Sequence, residues 1–400
     1  MKNIKYASQN LDKNDIINVT KTLRNDFITQ GPKVAEFENK LKKRFGAKYC
    51  IVTSNGTSAL KLSLRSLNLK VNDHVIVPSN TFVATANAVI ANNLKIIIAP
   101  VNPNHGGLDE ECIKKTIKFA KLKKKKIKAI INVFYAGQVW DVHKIYKICK
   151  KENIKIIDDA CHAIGTNYRS LKKIYKVGSC KHSEITTFSF HSIKNITTAE
   201  GGCILTNNQK IYNLVKNLRS HGINRDKKYS LINKKNFDDQ PWFYEAVELS
   251  ENYRLSDLQC ALGISQLQRL DRFKKNKDLV YRYYKNKIKR LNNFLVPIIS
   301  NKYSISHWHL YPVLINENYT KYKKKLFLYL KKKNISTQVH YIPIYKHPIY
   351  RNYYDKKLNL DSEKFYKKIL SLPFHSALTT KEIDYVISEI FKFFKSFAKK

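Results

Sequence analysis

The feature that most constrains this chain is an alternation of short apolar runs with helix-like segments along its first two-thirds. Apolar runs lie at 49–53, 74–77, 95–99, 127–133 and 154–158, and residues 59–67, 81–92 and 142–152 read as helices between them. Strands buried on both faces read as continuous apolar runs, and a parallel neighbour requires a crossover, usually a helix. The expected fold class is therefore α/β, with a largely parallel sheet. Further on, residues 255–273 read as one long helix and a basic helix follows to about 291. A smaller unit then alternates a strand at 309–314, a helix at 319–332, a strand at 336–339 and a last helix. That helix sets Ile383, Val386, Ile387, Ile390, Phe391 and Phe394 on one stripe. The expected boundary lies near 270: a large domain with an N-terminal arm over 1–270, and a small C-terminal domain over 271–400.

Composition removes several function classes. Hydrophobic residues make up 43% of the chain, enough to set aside disorder despite the charge. The net charge of +43 would ordinarily raise nucleic-acid binding. Its lysines are spread along the whole chain among many Asn, Ile and Tyr, the mixture an AT-rich coding sequence produces. No RNP, KH or zinc-finger pattern appears, so no nucleic acid is expected as a partner, while an anionic substrate would be attracted. No run of 18 apolar residues argues for a membrane span. The opening MKNIKYASQNLDKND lacks the apolar core of a signal peptide. Seven cysteines without a CxxC pair suggest reduced thiols and a cytoplasmic protein. No His/Cys spacing suits zinc, so no metal is expected.

Four separated elements carry chemistry. Asn55-Gly56-Thr57-Ser58 joins a strand to a helix, where glycine and free N–H groups can cradle a phosphate; many tight turns look the same. Ile156-Ile157-Asp158-Asp159-Ala160-Cys161-His162 ends a strand in two carboxylates and an imidazole, although Asp there often only caps a helix. Phe188-Ser189-Phe190 leads to Lys194, the one lysine in a stretch whose only other basic residue is His191. Held in a desolvated site, such an amine loses its proton easily and becomes a nucleophile. Glu251-Asn252-Tyr253-Arg254 opens the long helix with amide and guanidinium donors. Together these fit a cofactor with a phosphate, an aldehyde and a ring nitrogen: pyridoxal 5′-phosphate, PLP.

The order and wording of these motifs resemble the DegT/DnrJ/EryC1/StrS family of sugar aminotransferases, on the fold type I PLP-dependent scaffold with a mostly parallel seven-stranded sheet. The resemblance runs over nearly the whole chain. It is carried by Thr29-Gln30-Gly31-Pro32 with Phe37-Glu38, Asp159-Ala160-Cys161-His162, residues 188–202, Arg219-Ser220-His221-Gly222 and Asn252-Tyr253-Arg254. It implies that Lys194 links to the cofactor aldehyde and shuttles the proton. Asp159 would face the pyridine nitrogen, where its charge favours the protonated ring. His162 would sit near the ring 3-hydroxyl and Phe82 would stack on the ring. Gly56, Thr57 and Ser189 would hold the phosphate, and Asn252 would reach it from a second subunit, which implies a homodimer.

Lysine at 194, rather than the histidine of dehydratases in the family, implies transamination. Thr197-Thr198-Ala199-Glu200-Gly201-Gly202 departs from the commoner T-x-G-E-G-G. With Gln338-Val339-His340-Tyr341, Tyr6 and Asp26-Phe27-Ile28-Thr29, that variant looks like the family branch of pseudaminic acid synthesis. The implied substrates are glutamate and a UDP-linked 4-keto-6-deoxy-N-acetyl-hexosamine, and the implied product is UDP-4-amino-4,6-dideoxy-N-acetyl-β-L-altrosamine. Gly56, Ser189 and Asn252 would meet this substrate as well as the cofactor. Another nucleotide-linked 4-keto sugar is the alternative.

Overall fold

A computed structural model describes residues 3–225 and 240–398. Its centre is a seven-stranded sheet in the order Tyr49–Thr53, Gly202–Thr206, Ile185–Ser189, Lys155–Asp159, Ile127–Val133, His74–Pro78, Lys95–Ala99. Only Gly202–Thr206 runs antiparallel to its neighbours. The other pairs are parallel. This is the α/β fold with a mostly parallel sheet that the alternation of runs predicts. The strands are buried for a simple reason: Ile, Val and Ala on both pleat faces meet helices on either side. Thr53, Pro78, Val133, Asp159 and Ser189 end parallel strands, so the loops that follow them gather at one edge, where open α/β sheets place ligands.

Two expectations need correction. The segment expected as one helix over 255–273 is two, Asp257–Gln268 and Leu270–Lys287. Arg269 between them leaves helical geometry (φ −96°, ψ 2°) and its guanidinium pairs with Asp12 and Asp15. The strand expected over 336–339 is a single bridge, Gln338 to Ser371.

Beyond this junction Leu295–Pro297, Tyr311–Ile315 and Ile369–Leu372 form a second, antiparallel sheet. The last helix, Thr380–Ala398, lays the buried side chains Ile383, Val386, Ile387, Ile390 and Phe394 against this unit. Ile4 joins the same cluster and bridges Ile335, so the N-terminal arm reaches across to it. No helix among the described residues is long and apolar enough to cross a membrane.

Candidate active site

At the carboxyl edge of the large sheet lies a cavity of about 580 Å³ whose lining draws on both units. Tyr6, Gly56, Thr57, Phe82, Asp159, His162, Ser189, Lys194, His340 and Tyr341 all line it. Residues separated by more than 300 positions in sequence thus share one wall.

Lys194 is positioned by the turn that follows the fully buried strand Ile185–Ser189. Phe190 N–H donates to Gly201 O (2.7 Å) and Thr198 N–H to Phe190 O (2.9 Å), closing the base of the loop. Inside it, Lys194 N–H donates to His191 O (2.9 Å). Enclosure by protein holds the Lys194 amine below the usual lysine range, while Cys161 and Asp159 pull the other way. A second amine, that of the buried Lys277, stands behind the loop and donates to Asn195 Oδ1 (2.7 Å). Burial, then the like charge of Lys194, pushes it down to about 7.

Asp159 is buried at its strand end, with both oxygens engaged: Oδ2 accepts from Thr85 Oγ1 (3.0 Å) and Oδ1 from Cys161 N–H (3.2 Å). Thr85 was not a sequence candidate, nor were Asn55, Cys161, His191 and Glu200, which also line the cavity. Thr81, just before the helix Val83–Ile90, places its hydroxyl 2.8 Å from that of Thr85.

The helix Gly56–Arg65 begins at the cavity, capped by Asn55 Oδ1, which accepts from Ser58 N–H (2.8 Å). That leaves the N–H groups of Gly56 and Thr57 as helix-start donors without intrahelical partners, beside the Ser189 hydroxyl. The cradle admits no side chains. A Cβ on Gly56 would lie 2.9 Å from Ser189 Cβ, and one on Gly202 would lie 2.6 Å from the Asn55 carbonyl. Ala199 sits in the left-handed region (φ 66°) that glycine would occupy freely in the commoner motif.

Opposite this cradle, His162 Nε2 and Tyr341 Oη lie 2.9 Å apart. His162 Nδ1 is buried without a partner. Burial first, then the Lys194 charge, holds this imidazole well below its ordinary range, so it is neutral. Phe82, 58% exposed, offers its ring to the cavity 6.1 Å from that of Tyr341. The His340 ring lies 5.9 Å from that of Tyr6. A buried carboxylate, a half-buried amine and a helix-start anion site around one apolar-sided cavity match the nitrogen, aldehyde and phosphate of PLP.

Other sequence candidates do not line the cavity. Asp26, Phe27, Ile28 and Thr29 are exposed, tied to the large unit by Asp257 N–H donating to Ile28 O (3.0 Å). Asn252 is exposed too, bridging Ser220, with its Oδ1 accepting from Arg254 N–H (3.1 Å). Gln338 is exposed, and Val339 packs against two core clusters.

The sequence model of the DegT/DnrJ/EryC1/StrS aminotransferase family matches residues 9–391. The chain belongs to that family. Relatives of this DegT/DnrJ/EryC1/StrS aminotransferase include the UDP-4-amino-4,6-dideoxy-N-acetyl-beta-L-altrosamine transaminase of Campylobacter jejuni subsp. jejuni serotype O:23/36, 34% identical over 99% of each chain. The solved structure of Helicobacter pylori PseC, an aminotransferase involved in the biosynthesis of pseudoaminic acid, superposes with a TM-score of 0.87. It is 30% identical and covers 99% of this chain and 100% of its own. A putative sugar aminotransferase from Streptococcus pneumoniae, solved in its PMP form, is 25% identical with a TM-score of 0.86 and covers 97% and 98%. The chain is thus an enzyme of an aminotransferase family on the fold these neighbours share.

Proposed function

We propose that this aminotransferase uses PLP to move an amino group from glutamate to C4 of a UDP-linked 4-keto-6-deoxy-N-acetyl-hexosamine, a reading supported by its similarity to a relative named UDP-4-amino-4,6-dideoxy-N-acetyl-beta-L-altrosamine transaminase. The observation that carries the reading is the Lys194 amine and the Asp159 carboxylate on one cavity wall set, with the Gly56–Thr57 helix start between the strand ends. Bound PLP would supply an electron sink for the carbanion left when a proton leaves carbon next to nitrogen. Asp159, oriented by Thr85 and the Cys161 amide, holds a negative charge for a protonated ring nitrogen. Gly56, Thr57 and Ser189 would hold the phosphate, and Phe82 would pack against the ring. The Lys194 amine would be the base that takes the proton from carbon and hands it back. A positioned base of this kind contributes roughly 10²–10⁴-fold. His340, Tyr341 and Tyr6 face the sugar, and exclude water as the cavity fills. Asn252 serves the site of a partner subunit in a homodimer, which accounts for its exposure here.

The same machinery would serve another nucleotide. A GDP-perosamine synthase of Caulobacter vibrioides is 30% identical over 97% of each chain, which favours testing beyond UDP. Borohydride reduction of the PLP-loaded protein should place a pyridoxyl group on Lys194, and Lys194→Ala should abolish turnover. A label on another lysine sinks the central assignment. Product analysis with UDP-, GDP- and dTDP-linked 4-keto sugars then decides the substrate; no amination of the UDP sugar would refute its choice.

A further inference from the structure

The wall facing Lys194 is built by a segment whose fastening the reaction scheme above leaves unexplained. Residues 338–344 arrive from the smaller unit, where Gln338 exchanges backbone bonds with Ser371. They are then seized by the large unit at three places. Tyr135 Oη donates to His340 O (2.8 Å), Tyr341 N–H donates to Asn80 Oδ1 (2.7 Å) and Ile344 N–H donates to Ser79 O (2.9 Å). Asn80 is only 2% exposed and uses both ends of its amide, donating from Nδ2 to Gly106 O (3.0 Å). A buried side-chain amide spent on the backbone of one tyrosine fixes where that tyrosine's ring can go.

The ring ends at His162. Two hydrogen placements are compatible with the 2.9 Å contact between Tyr341 Oη and His162 Nε2. If Nε2 carried the proton and donated to the phenol oxygen, the phenol O–H would have no acceptor among the described residues, and Nδ1 would be a bare acceptor. If the phenol donates, its proton is satisfied and Nδ1 becomes an N–H donor. Burial pushes the Tyr341 phenol up, so it keeps a proton to give. The imidazole is neutral, so it has one nitrogen free to accept. The second placement leaves fewer buried groups unpaired.

We propose that Asn80 is a positioning residue: by holding the Tyr341 backbone it aims the phenol O–H at His162 Nε2, and so fixes His162 as the tautomer with its proton on Nδ1. His162 Nδ1, buried beside His309, then carries the N–H, and the ring meets a bound cofactor neutral and with Nε2 already occupied. The inference rests on the reading of this cavity as a PLP site, but its test does not require the cofactor.

The experiment is ¹⁵N NMR of histidine-labelled apo-protein, with His162 assigned by loss of its signals in His162→Gln. Wild type should show His162 protonated on Nδ1. Tyr341→Phe, which removes only the hydroxyl, should shift His162 towards a mixture of tautomers. Asn80→Leu should do the same although it touches neither ring, whereas Asn80→Asp, which keeps the acceptor for the Tyr341 amide, should retain the wild-type tautomer. Faster amide exchange over 338–345 in Asn80→Leu would accompany the change. Should Asn80→Leu fail to fold, Asn80→Ser takes its place. A His162 proton on Nε2 in wild type, or an unchanged tautomer in Tyr341→Phe or in the folded Asn80 variant, overturns the proposal. Failure of the pyridoxyl label at Lys194 would instead overturn the PLP reading and leave the tautomer result standing.

Discussion

His340 shows how much a single side chain's role depends on its partners. Its Nδ1 meets Ser371 Oγ (2.9 Å), and burial pushes the imidazole down to about 4, so the ring is uncharged near neutral pH. A neutral imidazole beside Tyr6 can hydrogen-bond a sugar hydroxyl without competing for the donor's carboxylates. His340→Ala should therefore slow the half-reaction with ketosugar about tenfold, the worth of one lost hydrogen bond, and leave the glutamate half-reaction nearly unchanged. Stopped-flow measurement of each half-reaction decides; equal slowing of both would mean that His340 only packs between units. Residue type was legible here, since His340 and Tyr341 were candidates from the sequence. Asn80 and Thr85 were not, because a buried amide and a hydroxyl that orient other groups carry no mark of their own.

At the scale of elements, the phosphate cradle depends on a close approach of two backbones. Gly202 begins the antiparallel strand next to Tyr49–Thr53, and its missing side chain lets the Asn55–Gly56 turn lie against it. Gly202→Ala would drive a methyl group into that turn, whose backbone cannot move aside as a flexible side chain could. The expected cost is about 1–3 kcal/mol of stability, as for other overpacked sites. If the displaced N–H groups hold the phosphate as proposed, PLP affinity should fall by more than that destabilisation explains. Paired denaturation and cofactor titrations test this, and unchanged affinity would separate the cradle from cofactor binding. The two glycines were visible in sequence. That Gly202 packs on Asn55 rather than on a neighbour of its own loop was not, since the pairing spans about 150 positions.

For the whole molecule, subunit assembly and protonation are the properties to test. If Asn252 completes a partner's site, mixing Lys194→Ala with Asn252→Ala should restore roughly a quarter of wild-type activity. Random exchange makes half the dimers hybrid, and each hybrid has one intact site. No recovery despite proven exchange would keep Asn252 in its own subunit. The pH dependence follows from buried histidines. Burial holds His162, His307 and His309 well below their ordinary range, and His182 and His340 at about 4. Because these folded values lie below the unfolded value of about 6.5, the unfolded chain binds more protons between the two. Their contribution is thus full above about pH 6.5 and is lost as pH falls towards 4. Asp158, raised to about 7 by burial, and Glu38, also raised by burial, act in the opposite sense over that window, against eight lowered histidines once His74, His105 and His375 are included. Denaturant midpoints should fall from pH 6.5 to pH 4.5, and a flat profile would contradict this balance.

The sequence by itself determined the α/β class, because apolar runs too short for helices can be buried only as strands, and helices must return the chain between parallel ones. It also determined which side chains hold chemistry at strand ends: Gly56, Asp159, Ser189 and Lys194 each follow a run whose period marks the element before it. Tertiary structure alone decided the rest. The break at Arg269 arises from ion pairs to Asp12 and Asp15, some 250 positions away, which no local pattern records. The same holds for the wall that Tyr6, His340 and Tyr341 complete. Its hydrogen bonds join residues 80, 135 and 162 to 340 and 341, and such contacts exist only once both sheets have packed. Local propensity reads neighbours along the chain; a site assembled across two units is set by which loops the strand order brings to one edge.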